Sequence, residues 1–106
     1  EPGILFKGMA ATFDKTKGGD FKGTFQFNIQ DGNQDQYYIT INNGKCVTHE
    51  GETQEADVII NTPFTTWASI STGEISGQDA LNQGLYTVEG NIGHLLKFNE
   101  IFGRNN

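Results

Sequence analysis

The chain has 106 residues, with 13 acidic and seven basic side chains and a formal net charge of -6. This length fits one domain with a hydrophobic core and excludes two domains of ordinary size. An acidic surface repels polyanions, so we expect no nucleic-acid partner. The single cysteine, Cys46, excludes an intramolecular disulfide, and the longest apolar runs have three residues, whereas a membrane-spanning helix needs roughly 20.

The N-terminal half of the sequence predicts one helix followed by three strands. Apolar residues near the 3.6-residue period predict the helix, and strict alternation of apolar with polar residues predicts the first strand. Phe25, Phe27 and Ile29 share one face of that strand. Turn residues at Asp31-Gly32 and Asn42-Asn43-Gly44 join the strands into an antiparallel meander. The predicted segments are a helix over residues 3–14 and strands over residues 23–30, 37–41 and 45–50.

The C-terminal half predicts two more strands and three more helices. The run Val58–Ile60 is apolar on both faces, which indicates a strand inside the sheet. We expect Thr62 to cap the next helix with Pro63 in its first turn, Ser76 to cap the second, and Asn91 the third. The predicted segments are strands over residues 56–61 and 85–89, and helices ended by Gly73, Gly84 and Gly103. This order of elements predicts an α+β fold in which helices cover one face of a sheet.

The sequence offers no residue set that matches a catalytic or metal site. Zinc needs three or four converging ligands, and the predicted topology does not bring His49 and His94 together. His49 with Glu50 and Glu52 is a conceivable weak metal cluster, but alternation along a strand separates neighbouring side chains. Cys46 and His49 have an odd separation on one strand, so a thiol and its candidate base lie on opposite faces. We therefore expect no catalytic residue, metal ion or cofactor.

Aromatic residues are abundant, with eight Phe, three Tyr and one Trp. Such residues fill an ordinary core or line a ligand cavity, and the residues by themselves favour the core. Four of the seven basic side chains lie within the first 22 positions. They are either solvated lysines or a basic patch for anionic lipid or a partner, and they are Lys7, Lys15, Lys17 and Lys22.

A series of short motifs runs through residues 56–98. The motifs, separated by a helix that carries Trp67 and by a strand, are Ala56-Asp57-Val58-Ile59-Ile60, Thr72-Gly73-Glu74-Ile75, Gly77-Gln78-Asp79-Ala80-Leu81 and Val88-Glu89-Gly90-Asn91-Ile92. In order and spacing this series resembles the sterol carrier protein 2 family. The segments Phe25–Ile29, Tyr38-Ile39 and Gly44-Lys45-Cys46 are similar to the family's first three strands, so the resemblance covers nearly the whole chain.

The resemblance implies one domain over residues 1–106, with a five-stranded, mixed and largely antiparallel sheet in the order 3-2-1-4-5. It also implies an apolar tunnel between sheet and helices for a fatty acid, fatty acyl-CoA or sterol-like lipid, with the last helix as a flap. Our candidate wall residues, whose elements direct them toward that interface, are Phe27, Ile39, Trp67, Ile70, Leu81, Leu95, Phe98 and Phe102. Gln78 and Gln83 are candidates for orienting a head group at the mouth.

Three functions stay open at this point. The first is noncatalytic lipid binding and transfer in the cytoplasm, with transient membrane contact, since the chain does not end in the targeting tripeptide of the family's peroxisomal members. The second is an accessory domain of a larger enzyme, which presents an acyl or quinone-like substrate or serves as a packing platform; a start at Glu1 without a methionine fits this reading. The third, an esterase acting on bound lipid, would need a neighbouring nucleophile and base. The sequence leaves the lipid's identity and the oligomeric state open.

Overall fold

The computed structural model describes residues 8, 13, 16, 19–30 and 35–102, and the backbone alone at positions 99 and 102. In this part of the chain the strands are β1 (Lys22–Ile29), β2 (Gln36–Asn42), β3 (Lys45–Glu50), β4 (Val58–Thr62) and β5 (Thr87–Gly90). The helices are α1 (Phe64–Thr72), α2 (Gly77–Asn82) and α3 (Ile92–Phe102). None of these helices is long and apolar enough to cross a membrane.

The strands form one mixed sheet in the order β3-β2-β1-β4-β5, which confirms the predicted fold. β1 lies at the centre, antiparallel to β2 and parallel to β4. β4 lies between β1 and β5, as its apolar run predicts, although Ile59 is only half-buried. The β2–β3 hairpin turns at Asn43 and Gly44, whose φ angles of 49° and 83° are those of a tight left-handed turn.

The core lies on one face of the sheet, beneath α1 and α3. The alternation in β1 buries Phe25, Phe27 and Ile29 completely on this face, because the helices cover every second side chain. The other buried apolar residues of the core are Tyr37, Ile39, Ile41, Val58, Ile60, Trp67, Ala80, Tyr86, Leu95, Phe98 and Ile101. Phe13 packs against this core from the N-terminal side of the chain.

The connection from β3 to β4 is held on the opposite face of the sheet by a glutamine of β1. Gln26 is only 2% exposed. Its Nε2 donates to the carbonyl oxygen of Gly51 (3.3 Å), and its Oε1 accepts from the backbone N–H of Thr53 (2.9 Å). Further along, the Asp57 carboxylate accepts from the backbone N–H of Thr24 (2.8 Å). These bonds fix a connection that local sequence patterns did not reveal, since it joins residues far apart in the chain.

The prediction that Thr62 caps the first of these helices is wrong. Pro63 occupies the cap position of α1, with φ -64° and ψ 150° and no side-chain cap bond. Thr62 instead ends β4, where its carbonyl accepts from the N–H of Gln30 (3.0 Å) and its hydroxyl donates to the Pro63 carbonyl (2.9 Å). Pairing with β1 keeps Thr62 in the strand, so tertiary structure overrides a favourable local capping signal.

The two other predicted caps are confirmed. The Ser76 hydroxyl accepts from the backbone N–H of Asp79 (3.0 Å) at the start of α2. The Asn91 side-chain carbonyl accepts from the backbone N–H of His94 (3.1 Å) at the start of α3. Each bond satisfies an amide that the first helical turn leaves without a partner inside the helix.

The fifth strand begins two residues later than the predicted Leu85. The backbone N–H groups of Gly84 and Leu85 donate to the carbonyls of Leu81 and Ala80, both at 3.0 Å. This pair of bonds is a Schellman motif, with Gly84 left-handed at φ 72°. Leu85 therefore belongs to the end of α2, and β5 starts at Thr87.

Several sequence-based expectations lie outside the described residues. Of the predicted helix over residues 3–14, the structure describes only Gly8 and Phe13. The predicted turn at Asp31-Gly32 lies wholly outside the described residues. The side chain of Phe102 and the lysines of the N-terminal cluster other than Lys22 also lie outside.

Gly90 provides a stability test, because it has φ 109° and a Cβ there would overlap the carbonyl oxygen of Asp57. We expect Gly90→Ala to lower the free energy of unfolding by about 3 kcal/mol or more, from backbone strain and steric overlap together. Gly84→Ala is the matched control, since Gly84 also has positive φ but has open space around its Cα. We expect Gly84→Ala to lower the free energy of unfolding by about 1 kcal/mol. Urea unfolding measures both, and equal losses would contradict the assigned contact.

Candidate functional site

Three aromatic side chains meet where β1, α1 and α3 come together. The ring centroids of Phe27 and Trp67 lie 4.7 Å apart, those of Phe27 and Phe98 5.7 Å, and those of Trp67 and Phe98 6.1 Å. All three rings are buried and tilted relative to one another, which is the favourable geometry for aromatic pairs. We call Phe27, Trp67 and Phe98 the aromatic cluster. It brings together three predicted wall residues from distant parts of the sequence.

The remaining predicted wall residues surround this cluster at two depths. Ile39 of β2 and Leu95 of α3 are buried in the same core. Ile70 of α1 and Leu81 of α2 are half-buried and pack against it. Phe102 belongs to α3, but its side chain lies outside the described set. The predicted walls thus form the inner surfaces of the sheet and helices, and their contact with a ligand stays a prediction.

The predicted mouth residues lie on the exposed side of α2. The Gln78 amide donates to the side-chain carbonyl of Asn82 (3.1 Å) along the helix surface. Gln83 is exposed at the end of the same helix. Tyr86 holds the start of this helix in place, because its hydroxyl donates a hydrogen bond to the carbonyl of Gly77 (2.8 Å). A head-group role for either glutamine stays a prediction.

A separate open groove of about 320 Å³ lies on the outer side of α1. Its lining mixes hydroxyl groups, a carboxylate and two aliphatic side chains, from Thr65, Thr66, Ser69, Glu74, Ile75 and Leu85. None of the predicted wall residues whose side chains the structure describes lines this groove, so it is distinct from the interior around the aromatic cluster.

The indole nitrogen of Trp67 is the unusual polar atom of the interior. Trp67 is 3% exposed, and its Nε1–H has no hydrogen-bond acceptor in the part of the chain that the structure describes. Leaving a buried donor unpaired costs about 1 to 3 kcal/mol. The sequence predicts Trp67 as an apolar wall residue and gives no signal for this donor, because hydrogen bonding in a core depends on tertiary contacts.

A row of polar side chains crosses the opposite face of the sheet, hydrogen-bonded from strand to strand. The Gln36 amide donates to Asn28 (3.2 Å), Asn28 to Asn61 (3.0 Å), and Asn61 to the Glu89 carboxylate (3.3 Å). This chain of side chains connects β2, β1, β4 and β5. Burying it under an apolar molecule would displace water from four polar groups, so the face beneath the helices is the one suited to an apolar ligand.

Cys46 and His49 of β3 lie on opposite faces of the sheet, which confirms the prediction from their spacing. Cys46 pairs with Ile41 and packs against the core. The ring of His49 stacks on Tyr38 at 4.5 Å, and its Nε2 lies 3.5 Å from the hydroxyl of Thr40. Burial raises the pKa of the Cys46 thiol to about 11. This pair therefore lacks the geometry of a nucleophile activated by a base.

Comparison with known proteins assigns this arrangement to a family. Residues 11–103 match the model of the SCP-2 sterol transfer family. The chain belongs to this family. The match covers most of the chain, including β1 to β5 and α1 to α3. Comparison with the curated proteins gives no match.

Solved structures similar to this SCP-2 domain include chains of about the same length and one region of an enzyme. A sec-alkylsulfatase from Pseudomonas sp. superposes with a TM-score of 0.86 at 20% identity, over 100% of this chain and 17% of the sulfatase. The palmitated sterol carrier protein 2-like 2 from Aedes aegypti superposes with a TM-score of 0.76 at 21% identity, over 98% of this chain and 92% of the Aedes protein. The structure named UbiJ-SCP2, a ubiquinone synthesis protein, superposes with a TM-score of 0.72 at 10% identity, over 94% of each chain. At these identities the likeness shows the fold.

Cys46 gives a prediction on reactivity. The thiolate is the reacting species, so a pKa of about 11 instead of the usual 9.0 lowers its fraction at pH 8 roughly 100-fold. We expect an aromatic disulfide reagent to label the native protein about 100-fold more slowly than the urea-unfolded protein. The unfolded chain loses the thiol proton first, so the contribution of Cys46 to stability should fall as pH rises from about 9 to about 11. Equal labelling rates in both states would contradict the assigned burial.

Proposed function

We propose that residues 1–106 form one domain that binds an apolar lipid between the sheet and its helices, shields it from water and transfers it without bond chemistry. The ligand classes are a fatty acid, a fatty acyl-CoA or a sterol-like lipid. Membership of the SCP-2 sterol transfer family carries this proposal. The apolar character of the inner face, set against a polar outer face, supports the position between sheet and helices.

The hydrophobic effect supplies enough free energy for such binding. Burying a lipid tail contributes about 0.8 kcal/mol per methylene group, so a long chain is held without any specific polar contact. The walls fit this role because Phe27, Ile39 and Leu95 present only apolar atoms to the interior. Selectivity would then follow from the volume and shape of the space between them.

The lipid would enter by outward movement of α3, the proposed flap. At the start of this helix the backbone N–H of Asn91 donates to the carbonyl of Asp57 (2.9 Å), which forms a fixed end. Further along, α3 packs on the core through Leu95, Phe98 and Ile101. Apolar contacts have no required direction, so these side chains can slide apart around a lipid tail while the fixed end stays bonded.

The proposed setting is the cytoplasm, with transient membrane contact to collect and deliver the lipid. The free, half-buried Cys46 suits a reducing compartment. Ile92 and Leu96 are neighbours on one face of α3 and are 52% and 53% exposed. These two side chains on the proposed flap are suited to brief contact with the apolar part of a membrane.

A second candidate function is an accessory domain of a larger enzyme. The similarity to the alkylsulfatase, in which this fold accounts for 17% of the chain, favours it. In that role the domain would present an acyl or quinone-like substrate or act as a packing platform. Presenting a substrate requires lipid binding by this chain, whereas a packing platform does not, so a binding measurement distinguishes the platform from both other roles.

The test is denaturing solvent extraction of the purified protein followed by mass spectrometry of the lipid fraction, with displacement of a fluorescent fatty acid. We expect a defined co-purifying lipid and displacement by added fatty acid. Ile70→Trp and Leu95→Trp fill the proposed space and should weaken probe binding by roughly tenfold or more, since they exclude several methylene groups. Ile70 is only half-buried, so its variant should fold even if the Leu95 variant does not.

Ile92→Trp is the matched control, with the same kind of substitution on the exposed side of α3. It should leave probe binding within about twofold of the unmodified chain. An empty protein that displaces nothing would contradict lipid binding and favour the packing platform. Equal weakening by Ile70→Trp and Ile92→Trp would contradict the proposed position of the lipid.

A further inference from the structure

The buried indole N–H of Trp67, which meets no acceptor among the described residues, requires a physical explanation. The side chain lies in the aromatic cluster, 4.7 Å from Phe27 and 6.1 Å from Phe98 between ring centroids. Its Nε1–H has no acceptor within the described regions, although Trp67 is almost completely buried. Buried indole N–H groups ordinarily donate to an acceptor. Where such a donor has no acceptor in the interior proposed for a ligand, an atom of the ligand can serve as the acceptor.

We propose that Nε1–H of Trp67 donates a hydrogen bond to an oxygen atom of the bound lipid. This inference rests on the proposed function and narrows its ligand class. It assigns the chain to an oxygenated lipid, one whose hydroxyl, ketone, ester or other acceptor oxygen reaches the aromatic cluster. A plain hydrocarbon would leave the donor unpaired and would forgo the free energy that pairing provides.

The surroundings of Trp67 indicate that this oxygen is uncharged. The described ring neighbours of Trp67 are Phe27 and Phe98, which offer no charge to balance an anion. Among the described lysines, Lys22 and Lys45 are exposed, and Lys97 pairs with Glu100 at 3.7 Å on the surface of α3. Burying a carboxylate beside one neutral donor would cost far more than a single hydrogen bond returns. A fatty acid would therefore bind with an ionised carboxylate away from this point.

The chain has a single tryptophan, which makes the test direct. Protein labelled with ¹⁵N in tryptophan gives one indole N–H resonance. Two ligands with the same number of carbon atoms, methyl palmitate and n-heptadecane, are compared, each delivered from cyclodextrin. We expect the ester to move the indole proton downfield and the hydrocarbon not to do so. We also expect the ester to bind roughly tenfold more tightly than the hydrocarbon.

Trp67→Phe removes the N–H and keeps an aromatic ring at the position. In this variant the preference for the ester over the hydrocarbon should fall from roughly tenfold to nearly onefold. Phe98→Leu is the matched control in the same cluster, because it changes packing without removing a hydrogen-bond donor. It should weaken binding of both ligands and leave their ratio unchanged. If Trp67→Phe does not fold, the indole resonance of the unmodified protein still tests the proposed hydrogen bond, because the bond requires a downfield shift with the ester and none with the hydrocarbon.

The outcomes separate this inference from the proposed function. Binding of both ligands with equal affinity and no ester-specific shift would overturn the role of Trp67 and leave lipid binding intact. A preference for the ester that persists in Trp67→Phe would also overturn it, since another donor would then be responsible. Binding of neither ligand, with no displacement of the fatty-acid probe, would overturn the proposed function and this inference together.

Discussion

The need to cover the aromatic side chains of β1 is the constraint on which the rest of the structure depends. Phe25 and Phe27 occupy the centre of the sheet and are inaccessible to water. Phe98 of α3 packs 4.7 Å from Phe25 between ring centroids, and Trp67 of α1 packs 4.7 Å from Phe27. Both helices are therefore held on the same face by contacts with one strand. The apolar interior proposed for the lipid is the space that these contacts define.

The sheet divides the molecule into faces with different chemistry. One face carries the apolar residues beneath the helices, and the other carries hydrogen-bonded amide side chains from Gln36 across to Glu89. Gln26, on the polar face, holds the connection that leads from β3 to β4. The odd-numbered residues of β1 thus pack in the core, and its even-numbered Gln26 holds the β3–β4 connection in place by hydrogen bonds. Under the proposed function, this division favours the side beneath the helices as the position of an apolar ligand.

The strands were predictable because their signals are local. Alternation in β1 and the turn at Asn43-Gly44 depend on neighbouring residues, as do the caps at Ser76 and Asn91. The strand order came from the family resemblance, since pairing partners cannot be deduced from alternation. The cap assigned to Thr62 was wrong because pairing with β1 keeps that residue in the strand.

The site was predictable in its apolar part and not in its polar part. Inward-facing wall residues such as Phe27 and Phe98 follow from periodicity and from the resemblance, so their burial could be anticipated. The burial of Gln26 could not, because it results from a loop that arrives from 25 residues away. That the Trp67 indole N–H meets no acceptor among the described residues was equally hidden, since it depends on which atoms surround the indole after folding. Polar groups in a core are determined by tertiary neighbours, and their roles emerge only from the structure.

The central claim is that lipid lies between the sheet and the helices. The most direct measurement is a set of nuclear Overhauser contacts between uniformly ¹³C-labelled palmitate and the protein's side-chain protons. The expected result is contacts from the acyl chain to the rings of Phe27, Trp67 and Phe98. Contacts confined to Ile75 and Leu85 of the outer groove, or to the exposed Ile92 and Leu96, would contradict it.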